Sequence, residues 1–398
     1  MGIKGSKGGL ALIKVPVIHA ITKLEFGGAQ QNTLYTVATL DRHRFEPVLI
    51  TGPGGYLMEE ALKLGIDLRV APSMERPISP VSDARSYGEL ACLMKPYGNR
   101  PAIVHTHSSK AGILGRWAAR RAGIPVIIHS IHGFGFTPAH NPVKRWSLRS
   151  AERITSLITD HFIAVSHRNR EDGIGSGLFG PDRCTVIRSG FDLDRFRLAG
   201  TVTEKLERET GILVGTPIVL MVACLKPQKA PLDFVKVAAR THREIPEARF
   251  LLAGDGELRS ALVKEVHRNG LEGIFYHLGW REDIPELMKA SRVVVLTSLW
   301  EGLPRVIPQA KAAGRPVVAT TVDGSAEAIR DGVDGFLCEP GDVEAIADKV
   351  IHLLKNPNDA VRMGLRGSEA VEEWDQDTMV RQQEELYERL LEEKGLRV

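Results

Sequence analysis

The pattern of apolar and polar positions between residues 292 and 320 predicts a strand, a loop, a helix and a second strand in succession. Residues 293–296 are a short run of aliphatic, mostly β-branched side chains, typical of a strand buried on both faces. Turn-forming residues follow, and apolar residues then recur at helical spacing up to Gly314. Residues 316–320 form the second apolar run. Glu301 therefore lies between the carboxyl end of a strand and a helix, where open parallel sheets bind ligands.

The same alternation continues along the chain and predicts an α/β protein with parallel, doubly wound sheets. Further strands are predicted at residues 15–22, 48–51, 67–70, 103–107, 126–130, 162–166, 185–187, 218–223 and 250–253. Helices are predicted at residues 29–40, 57–64, 83–95, 111–122, 141–159, 283–290, 343–354 and 377–394. A chain of 398 residues is too long for one ordinary core, so we expect two or three domains.

Composition places the chain among globular proteins of a reducing compartment. Hydrophobic residues make up 43% and charged residues 25% of the sequence. No apolar run approaches the roughly 20 residues of a membrane span, and residues 1–14 lack the apolar core of a secretory signal. Met1-Gly2 followed by Ser6 fits a myristoylation pattern, but nothing else favours lipidation. The four cysteines are scattered and lack metal-type spacing, so we expect a cytoplasmic protein.

The net charge of +3 conceals an asymmetry between the two halves. Residues 1–195 hold 25 Lys and Arg against 16 Asp and Glu, a net charge of +9, and the remainder hold 27 against 33, a net charge of −6. The basic first half indicates either an anionic partner or an ordinary solvated surface. Two basic clusters contain a tryptophan that would suit a lipid surface: Lys144, Arg145, Trp146, Arg149 and Arg153, and Arg116, Trp117, Arg120 and Arg121.

Glu301 has two interpretations from its position alone. It is either an ordinary acidic residue that interacts with the helix macrodipole, or a hydrogen-bond acceptor for a polyhydroxylated ligand whose phosphates lie at the same helix start. Gln309 follows Glu301 after seven intervening residues, which places it about two turns along the facing helix. This spacing favours the ligand interpretation.

The stretch from Glu301 to Glu327 resembles the C-terminal signature of retaining glycosyltransferase family 4. The matching residues are Glu301-Gly302-Leu303-Pro304, Gln309-Ala310, residues 313–320 and residues 323–327. That family has the GT-B fold, in which two doubly wound Rossmann-like domains face each other across a cleft and a C-terminal helix crosses back to the first. The resemblance implies an acceptor-binding domain over residues 1–190, a nucleotide-sugar-binding domain over residues 191–375 and a terminal helix over residues 376–398. Residues 188–196 resemble the family's interdomain turn.

The resemblance also implies which residues bind the nucleotide sugar. The family usually has a second glutamate, which holds the ribose, where this chain has Gln309, and an amide also bonds two hydroxyls. It has an arginine where Cys224 stands and a lysine at Lys229, two cations that neutralise the diphosphate. Lys226 or Arg305 is expected to supply the second charge. The remaining predicted contacts are Gly28, Gly254, Gly302, Leu303, Pro304 and Glu327, the last with a structural role as its alternative.

In the first half, Gly27 and Gly28 stand between a predicted strand and helix and allow a ligand to approach the backbone amides. Gly27, His107 and Lys110 are the predicted acceptor contacts, and for Lys110 a phosphate contact is the alternative. His132 stands where the family has a histidine close to the donor sugar. We therefore predict His132, Glu301 and Lys229 as the catalytic residues, with a purely structural His132 as the alternative.

Two patterns that elsewhere bind metals are interpreted without a metal. His105 and His107 point the same way through strand alternation, but no third ligand is nearby in the sequence. Asp192 and Asp194 lie where the family changes domain, and GT-B enzymes do not need such a metal. We therefore expect no metal and no cofactor.

The resemblance implies a retaining, metal-independent glycosyltransferase that transfers a sugar from a UDP- or GDP-sugar to a glycan or lipid-linked acceptor. The expected role is cell-surface polysaccharide or glycolipid synthesis. The expected location is the cytoplasm, or the inner face of the cytoplasmic membrane through the basic first half, with no nucleic-acid partner. The alternatives are a GT-B epimerase acting on the nucleotide sugar, and a nucleotide-sugar-binding protein without catalysis, which Cys224 and Gln309 permit.

Overall fold

The computed structural model describes residues 14–25, 27–136, 141–200 and 203–396, which divide into two compact units. The first unit contains the residues up to Val165, residues 170–187 and the chain from Val380 onward. The second contains residues 166–169 and 188–379. The segment with the myristoylation pattern lies outside the described residues. Among the described helices, none has both the length and the apolar character of a bilayer span.

The first unit is built on a seven-stranded parallel sheet in the order β3-β2-β1-β4-β5-β6-β7. Its strands are β1 (Val15–Ile21), β2 (Phe45–Thr51), β3 (Asp67–Val70), β4 (Ile103–His107), β5 (Val126–Ile131), β6 (His161–Ala164) and β7 (Cys184–Val186). The helices of this part of the chain are α1 (Gly28–Thr39), α2 (Met58–Lys63), α3 (Pro80–Met94), α4 (Ser109–Ala122), α5 (Pro142–Ser156) and α6 (His167–Gly175). Strands β1, β4 and β5 are buried along their whole length, as their continuous apolar runs predict.

The second unit contains a six-stranded parallel sheet in the order β10-β9-β8-β11-β12-β13. Its strands are β8 (Ile218–Val222), β9 (Arg249–Ala253), β10 (Phe275–Gly279), β11 (Val293–Leu296), β12 (Val317–Thr320) and β13 (Gly335–Cys338). The remaining helices are α7 (Leu193–Arg197), α8 (Thr203–Thr210), α9 (Pro231–Glu244), α10 (Arg259–Arg268), α11 (Ile284–Ala290), α12 (Val306–Ala312), α13 (Ser325–Ala328), α14 (Val343–Lys355), α15 (Pro357–Ser368) and α16 (Gln376–Glu393). Two apolar layers, one on each face of this sheet, form its core.

Both sheets confirm the predicted doubly wound architecture. In each sheet all strands are parallel, and the order in which the chain adds strands reverses once, at a topological switch point. Strand order runs outward from β1 in one direction and from β4 in the other, and the second sheet repeats this arrangement at β8 and β11. At such a point the loops that follow the two central strands separate and leave room for a ligand. The sequence pattern does not predict β10 and β13, because these edge strands are only half buried and lack a continuous apolar run.

One of the two predicted basic clusters is wrong in part. Arg116 is fully buried in α4 rather than exposed to a lipid surface. Its guanidinium donates to the Gly112 carbonyl (2.7 Å), the Thr159 hydroxyl (3.1 Å) and the Glu152 carboxylate (2.6 Å). Burial lowers its pKa, and Glu152 opposes that effect. The small neighbours on the same face of α4, including Gly112 and Gly115, let this face pack closely, so Arg116 is a structural residue.

Candidate functional site

Lys229 and Glu301 belong to loops that follow β8 and β11, the two strands at the topological switch point of the second sheet. The loop after β8 forms a short 3₁₀ turn over Pro227–Lys229, and the loop after β11 leads into α12. Because β8 and β11 are adjacent and parallel, their carboxyl ends lie at the same edge of the sheet. Two side chains separated by 72 residues in sequence thereby meet.

Lys229 and Glu301 form an ion pair between the Lys229 ammonium and Glu301 Oε1. The same Oε1 accepts a hydrogen bond from the Ser298 hydroxyl at 2.6 Å. The Glu301 side chain is only 6% exposed and that of Lys229 is 17% exposed. The Glu301 backbone N–H donates to Asp323 Oδ2 at 2.7 Å, which fixes the loop at this residue. The carboxylate is therefore held in one position and its charge is neutralised by protein groups.

Direct hydrogen bonds also tie the two loops together. The Leu299 N–H donates to the Gln228 carbonyl (2.8 Å), and the Gln228 side-chain amide donates to the Trp300 carbonyl (2.9 Å). The Thr297 hydroxyl contacts the carbonyls of Lys229 (3.0 Å) and Ala230 (2.9 Å). These bonds make the pair Lys229–Glu301 part of a preorganised loop assembly rather than a contact between two mobile side chains.

Gln309 and Arg305 lie in the same region of the second unit. Both are half-buried, Gln309 on α12 and Arg305 at its amino-terminal cap. Desolvation lowers the pKa of Arg305 to about 10, so its guanidinium remains charged at neutral pH. Among the described residues, no hydrogen bond engages the Gln309 side-chain amide.

Glu327, the other predicted carboxylate, is engaged by protein groups. Its oxygens accept hydrogen bonds from the backbone N–H groups of His167 (2.9 Å) and Arg168 (2.6 Å). Arg188 pairs with the same carboxylate at 3.2 Å. These contacts are those of the structural alternative for Glu327.

Close backbone packing shapes the edges of this site. The Gly324 N–H donates to the Gly302 carbonyl at 3.2 Å, and a Cβ at Gly324 would lie 2.5 Å from that oxygen. Leu303 packs against the apolar layer of the sheet, and the Pro304 ring is buried at the start of α12. The predicted run Gly302-Leu303-Pro304 therefore connects the Glu301 loop to the core.

Gly254 directly follows β9 and has φ at +132°, and a Cβ there would lie 2.0 Å from the Ala223 carbonyl oxygen. We expect Gly254→Ala to lower the free energy of unfolding by about 2 kcal/mol or more, because the backbone conformation and the contact both exclude a side chain. Gly314→Ala is the matched control, since Gly314 also has a positive φ (+71°) but a Cβ there meets no described atom within 4 Å. Chemical denaturation of both variants measures the difference, and equal losses would contradict the steric argument.

The first unit has a cavity at the topological switch point of its own sheet, between β1 and β4. The cavity has a volume of about 460 Å³ and lies where β1 and β4 end. The Thr22 and Ser108 hydroxyls bond each other at 2.7 Å across the two strand ends. The cavity is lined by Ile21, Thr22, Lys23, Gln30, Arg76, Ile78, Asp83, Ser108, Ser109, Lys110, Ile113, Leu114, Gly135, Lys144 and Leu148. Cationic and apolar side chains therefore share one cavity.

Two of the three predicted acceptor residues, Gly27 and Lys110, lie at this cavity. Gly27 caps α1, and Gly28, a predicted donor contact, begins it, beside Gln30 in the wall. Lys110 lines the cavity, but its ammonium already bonds the Pro77 carbonyl and pairs with Asp83. Its contacts therefore place Lys110 in the wall of the cavity as one half of an ion pair.

His107, a predicted acceptor contact, belongs to a buried histidine cluster, and the structure brings a third histidine to His105 and His107 that is distant from them in the sequence. His19 of β1 pairs in register with His105 of β4, so one potential ligand atom from each of His19, His105 and His107 lies within 4.8 Å of the others. Burial lowers the pKa of His19 to about 3 and lowers those of His105 and His107 well below the usual value. All three rings are therefore neutral at physiological pH.

Hydrogen bonds occupy the ring nitrogens of His105, His107 and His19 except Nε2 of His19. His105 Nδ1 contacts the Tyr387 hydroxyl at 2.6 Å and His105 Nε2 contacts the Ser130 hydroxyl at 2.7 Å. His19 Nδ1 and His107 Nε2 contact each other at 3.0 Å. The arrangement is that of a hydrogen-bonded network, in which a metal would have to displace these contacts.

His132 lies at the end of β5 and contacts this network. Its Nε2 is 3.2 Å from Nδ1 of His107. The side chain is half-buried and lines a second cavity of about 160 Å³ together with Ser130 and Phe134. The structure thus brings the predicted residues His132 and His107 together, and sequence spacing alone does not reveal the contact.

Comparisons with known proteins cover both units. The family model described as "Glycosyltransferase Family 4" matches residues 26–195, and the one described as "Glycosyl transferases group 1" matches residues 202–370. The chain is 32% identical over 343 residues to the UDP-Gal:alpha-D-GlcNAc-diphosphoundecaprenol alpha-1,3-galactosyltransferase of Escherichia coli, covering 85% of this chain and 88% of that protein.

A more distant relative is the N,N'-diacetylbacillosaminyl-diphospho-undecaprenol alpha-1,3-N-acetylgalactosaminyltransferase of Campylobacter jejuni. It is 23% identical over 356 residues, covering 88% of this chain and 93% of that protein. Among solved structures, Anabaena HepE in complex with UDP-glucose matches with a TM-score of 0.80 at 22% identity, covering 93% of this chain and 98% of that one. This likeness shows the fold and confirms the predicted GT-B class.

Proposed function

This chain belongs to glycosyltransferase family 4, and from that premise we propose that it transfers a sugar from a UDP-sugar to a lipid-linked diphosphate acceptor with retention of anomeric configuration. The observation that carries the proposal is the Lys229–Glu301 pair at the topological switch point of the second sheet. The relatives in Escherichia coli and Campylobacter jejuni are named for diphosphoundecaprenol-linked acceptors, and HepE is described with UDP-glucose.

The Lys229–Glu301 pair suits the two ends of a nucleotide sugar. A lysine ammonium has three hydrogen-bond donors, and Glu301 uses one of them among the described residues. The other two can contact the diphosphate. Glu301 Oε2 can accept from sugar hydroxyls while Lys229 and Ser298 hold Oε1. Gln309 can bond the ribose through its amide.

Cationic side chains stabilise the leaving diphosphate in this proposal. Charge accumulates on the nucleoside diphosphate as its bond to the anomeric carbon breaks, and fixed positive groups lower the energy of that state. Lys229 and Arg305 are half-buried cations of the second unit, and Lys226 precedes Lys229 in the same loop. These cations can act where other enzymes use a divalent metal, which supports a metal-independent reaction.

The position of Glu301 also bears on the stereochemistry. Ion pairing and hydrogen bonding stabilise its carboxylate, so it is a poor nucleophile. Retention then requires no covalent sugar–enzyme intermediate: the acceptor hydroxyl attacks from the face that the diphosphate leaves. The acceptor's oxygen forms the new bond to the anomeric carbon, and its proton goes to the departing phosphate oxygen.

The cavity of the first unit suits an amphiphilic acceptor. Lys23 and Lys144 supply positive charge for a diphosphate, and Arg76, which pairs with Glu25 at 2.7 Å, adds a guanidinium. The apolar residues of the wall, Ile78, Ile113, Leu114 and Leu148, supply surface for the first isoprene groups of a lipid. A purely sugar-binding cavity would not need this combination.

Helix α5 carries an exposed apolar stripe that supports membrane attachment of the first unit. Val143, Trp146, Ile154 and Leu157 fall on one side at helical spacing and are between 56% and 79% exposed. Arg149 and Arg153 flank the stripe, as suits the headgroups of anionic lipids. The apolar stripe and these cations lie on the same helix, and this combination supports the proposed attachment.

We expect the double variant Trp146→Glu/Ile154→Glu to bind anionic phospholipid vesicles about tenfold or more weakly. The change removes exposed apolar area that the membrane would bury, and it adds negative charge that anionic lipids repel. Leu365→Glu is the control, since Leu365 is similarly exposed (58%) on α15 of the other unit. Vesicle co-sedimentation at low and high salt measures the effect. Equal binding by the stripe variant and wild type would refute the attachment through α5.

The proposed activity is tested first through the nucleotide-sugar donor. Thermal stability and slow hydrolysis are measured with UDP-, GDP- and ADP-sugars for wild type and Lys229→Met. We expect stabilisation and hydrolysis with a UDP-sugar, both lost in the variant. Response to a GDP-sugar alone would replace the nucleotide in the proposal, and no response to any of them would overturn it.

A further inference from the structure

His132, His107 and His19 form a continuous hydrogen-bonded chain of three imidazoles in the first unit. The contacts are His132 Nε2 to His107 Nδ1 (3.2 Å) and His107 Nε2 to His19 Nδ1 (3.0 Å). His107 thus uses both ring nitrogens, one towards each neighbour. Because burial keeps His19 and His107 neutral, each of those rings carries one N–H and one lone pair.

The chain allows only two proton arrangements when all three rings are neutral. In the first, protons on Nε2 of His132 and Nε2 of His107 point inward, and His19 must carry its proton on Nε2. In the second, the protons lie on Nδ1 of every ring and point outward along the chain towards His132. The tautomer of one ring therefore determines the tautomers of the other two.

The inner end of the chain decides between these arrangements. His19 is fully buried, and its Nε2 has no hydrogen-bond partner among the described residues. An orphaned buried N–H is rarer than an unsatisfied acceptor, because a bare lone pair is the less costly defect. The proton of His19 therefore lies on Nδ1, His107 donates from Nδ1, and His132 accepts at Nε2 and carries its own proton on Nδ1.

We propose that His107 and His19 are positioning residues that hold His132 in the Nδ1–H tautomer, so that His132 acts as a hydrogen-bond donor and not as a base. Any ligand atom that meets Nδ1 must then accept a hydrogen bond, as a sugar hydroxyl oxygen or a phosphate oxygen does. The importance of this for transfer rests on the proposed function, whereas the tautomer itself does not.

His105 does not belong to the chain although it packs against it. Its ring lies 4.2 Å from that of His107 between centroids, but its nitrogens contact Tyr387 and Ser130. Since the Tyr387 hydroxyl donates to Gln383 at 3.2 Å, it accepts from His105 Nδ1. These hydrogen bonds hold the His105 ring in place, and the ring packs against that of His107.

The test is nuclear magnetic resonance of the full chain labelled with ¹⁵N-histidine, in which two-bond ¹H–¹⁵N correlations distinguish the tautomers of each ring. The His132 signals are assigned by their absence in His132→Asn. We expect His132 of the wild type as the Nδ1–H tautomer at neutral pH without any ligand. A wild-type His132 in the Nε2–H form overturns the proposal.

Two substitutions of His107 test its role. His107→Leu removes both contacts and should release His132 into a mixture of tautomers, while His107→Asn retains an amide near the position of Nδ1 and should preserve the Nδ1–H form. His129→Asn is the control, because His129 is a buried histidine of β5 that contacts Thr106 at 2.9 Å and not the chain. An unchanged His132 tautomer in a folded His107→Leu variant would show that His107 does not position it.

Transfer kinetics then connect the tautomer to function. We expect His107→Leu to lower kcat about tenfold with an unchanged KM for the nucleotide sugar, and His107→Asn to recover most of the loss. A purely structural role would lower thermal stability and leave kcat of the folded enzyme unchanged. If wild type transfers no sugar, the proposed function fails while the tautomer measurement still decides the present inference.

Discussion

Replacement of Glu301 by glutamine is expected to lower kcat/KM for sugar transfer about 10²- to 10³-fold, the range measured when one preorganised group of a catalytic site is removed. The amide keeps the shape of the side chain but cannot neutralise the Lys229 ammonium, so both the sugar contact and the position of the cation change. Lys229→Met should cause a loss of similar size, because the leaving diphosphate then lacks its fixed positive charge.

The double variant Glu301→Gln/Lys229→Met separates catalysis from stability. Each single change leaves one charge of a half-buried pair without its partner, whereas the double change removes both charges. We therefore expect the double variant to be more stable than at least one single variant and to remain inactive. Initial rates and thermal denaturation measure the two effects. Activity within a few-fold of wild type in any of these variants would contradict the assigned roles.

Asp334→Ala is expected to destabilise the second unit by about 3–5 kcal/mol, which corresponds to a lower midpoint of thermal unfolding by roughly 10 °C. The Asp334 carboxylate is fully buried and contacts the Lys311 ammonium (3.1 Å), Arg330 Nε (2.6 Å) and the Arg330 N–H (2.9 Å). Without it, the one hydrogen-bond acceptor left to the buried Lys311 ammonium among the described residues is the Ala328 carbonyl at 3.0 Å. Lys311 lies on α12 two residues after Gln309, so this contact also anchors the helix of the site.

Arg330→Ala provides the matched control for Asp334. Arg330 contacts the same carboxylate, but its side chain is 56% exposed, and exposed ion pairs contribute about 1 kcal/mol or less. Lys311→Met/Asp334→Leu removes both buried charges and should recover part of the loss. Urea unfolding followed by tryptophan fluorescence measures all three. Similar losses for Asp334→Ala and Arg330→Ala would refute the argument from burial.

The sequence predicts the centre of the second sheet well because the signals there are local. Residues 293–320 contain two fully buried strands, a loop and a helix in one continuous stretch, and each leaves its own apolar pattern. Glu301 and Lys229 lie in loops after two of the most apolar strands, where ligand sites of doubly wound sheets occur. Their direct ion pair depends on the adjacency of β8 and β11, which strand spacing does not reveal.

In the first unit, contacts between residues that are distant in the sequence leave no signal in the local pattern. The pattern finds His105 and His107 by their spacing but not His19, because His19 joins them only through the pairing of β1 with β4. A single polar residue inside the apolar strand VPVIHAI was the available signal. The prediction that Arg116 belongs to an exposed basic cluster is wrong because it considers the charge alone. The small residues on the same face of α4 allow close packing, and that face is buried.

The measurement that tests the account most directly is transfer of sugar from a UDP-sugar to a synthetic polyprenyl-diphosphate-linked sugar in the presence of EDTA. The linkage of the product is determined from its anomeric coupling by nuclear magnetic resonance. We predict a product with the anomeric configuration of the nucleotide sugar, formed at an unchanged rate in EDTA and about 10²-fold or more slowly with Glu301→Gln. No product, an inverted linkage, or activity that EDTA abolishes and a divalent ion restores would contradict it.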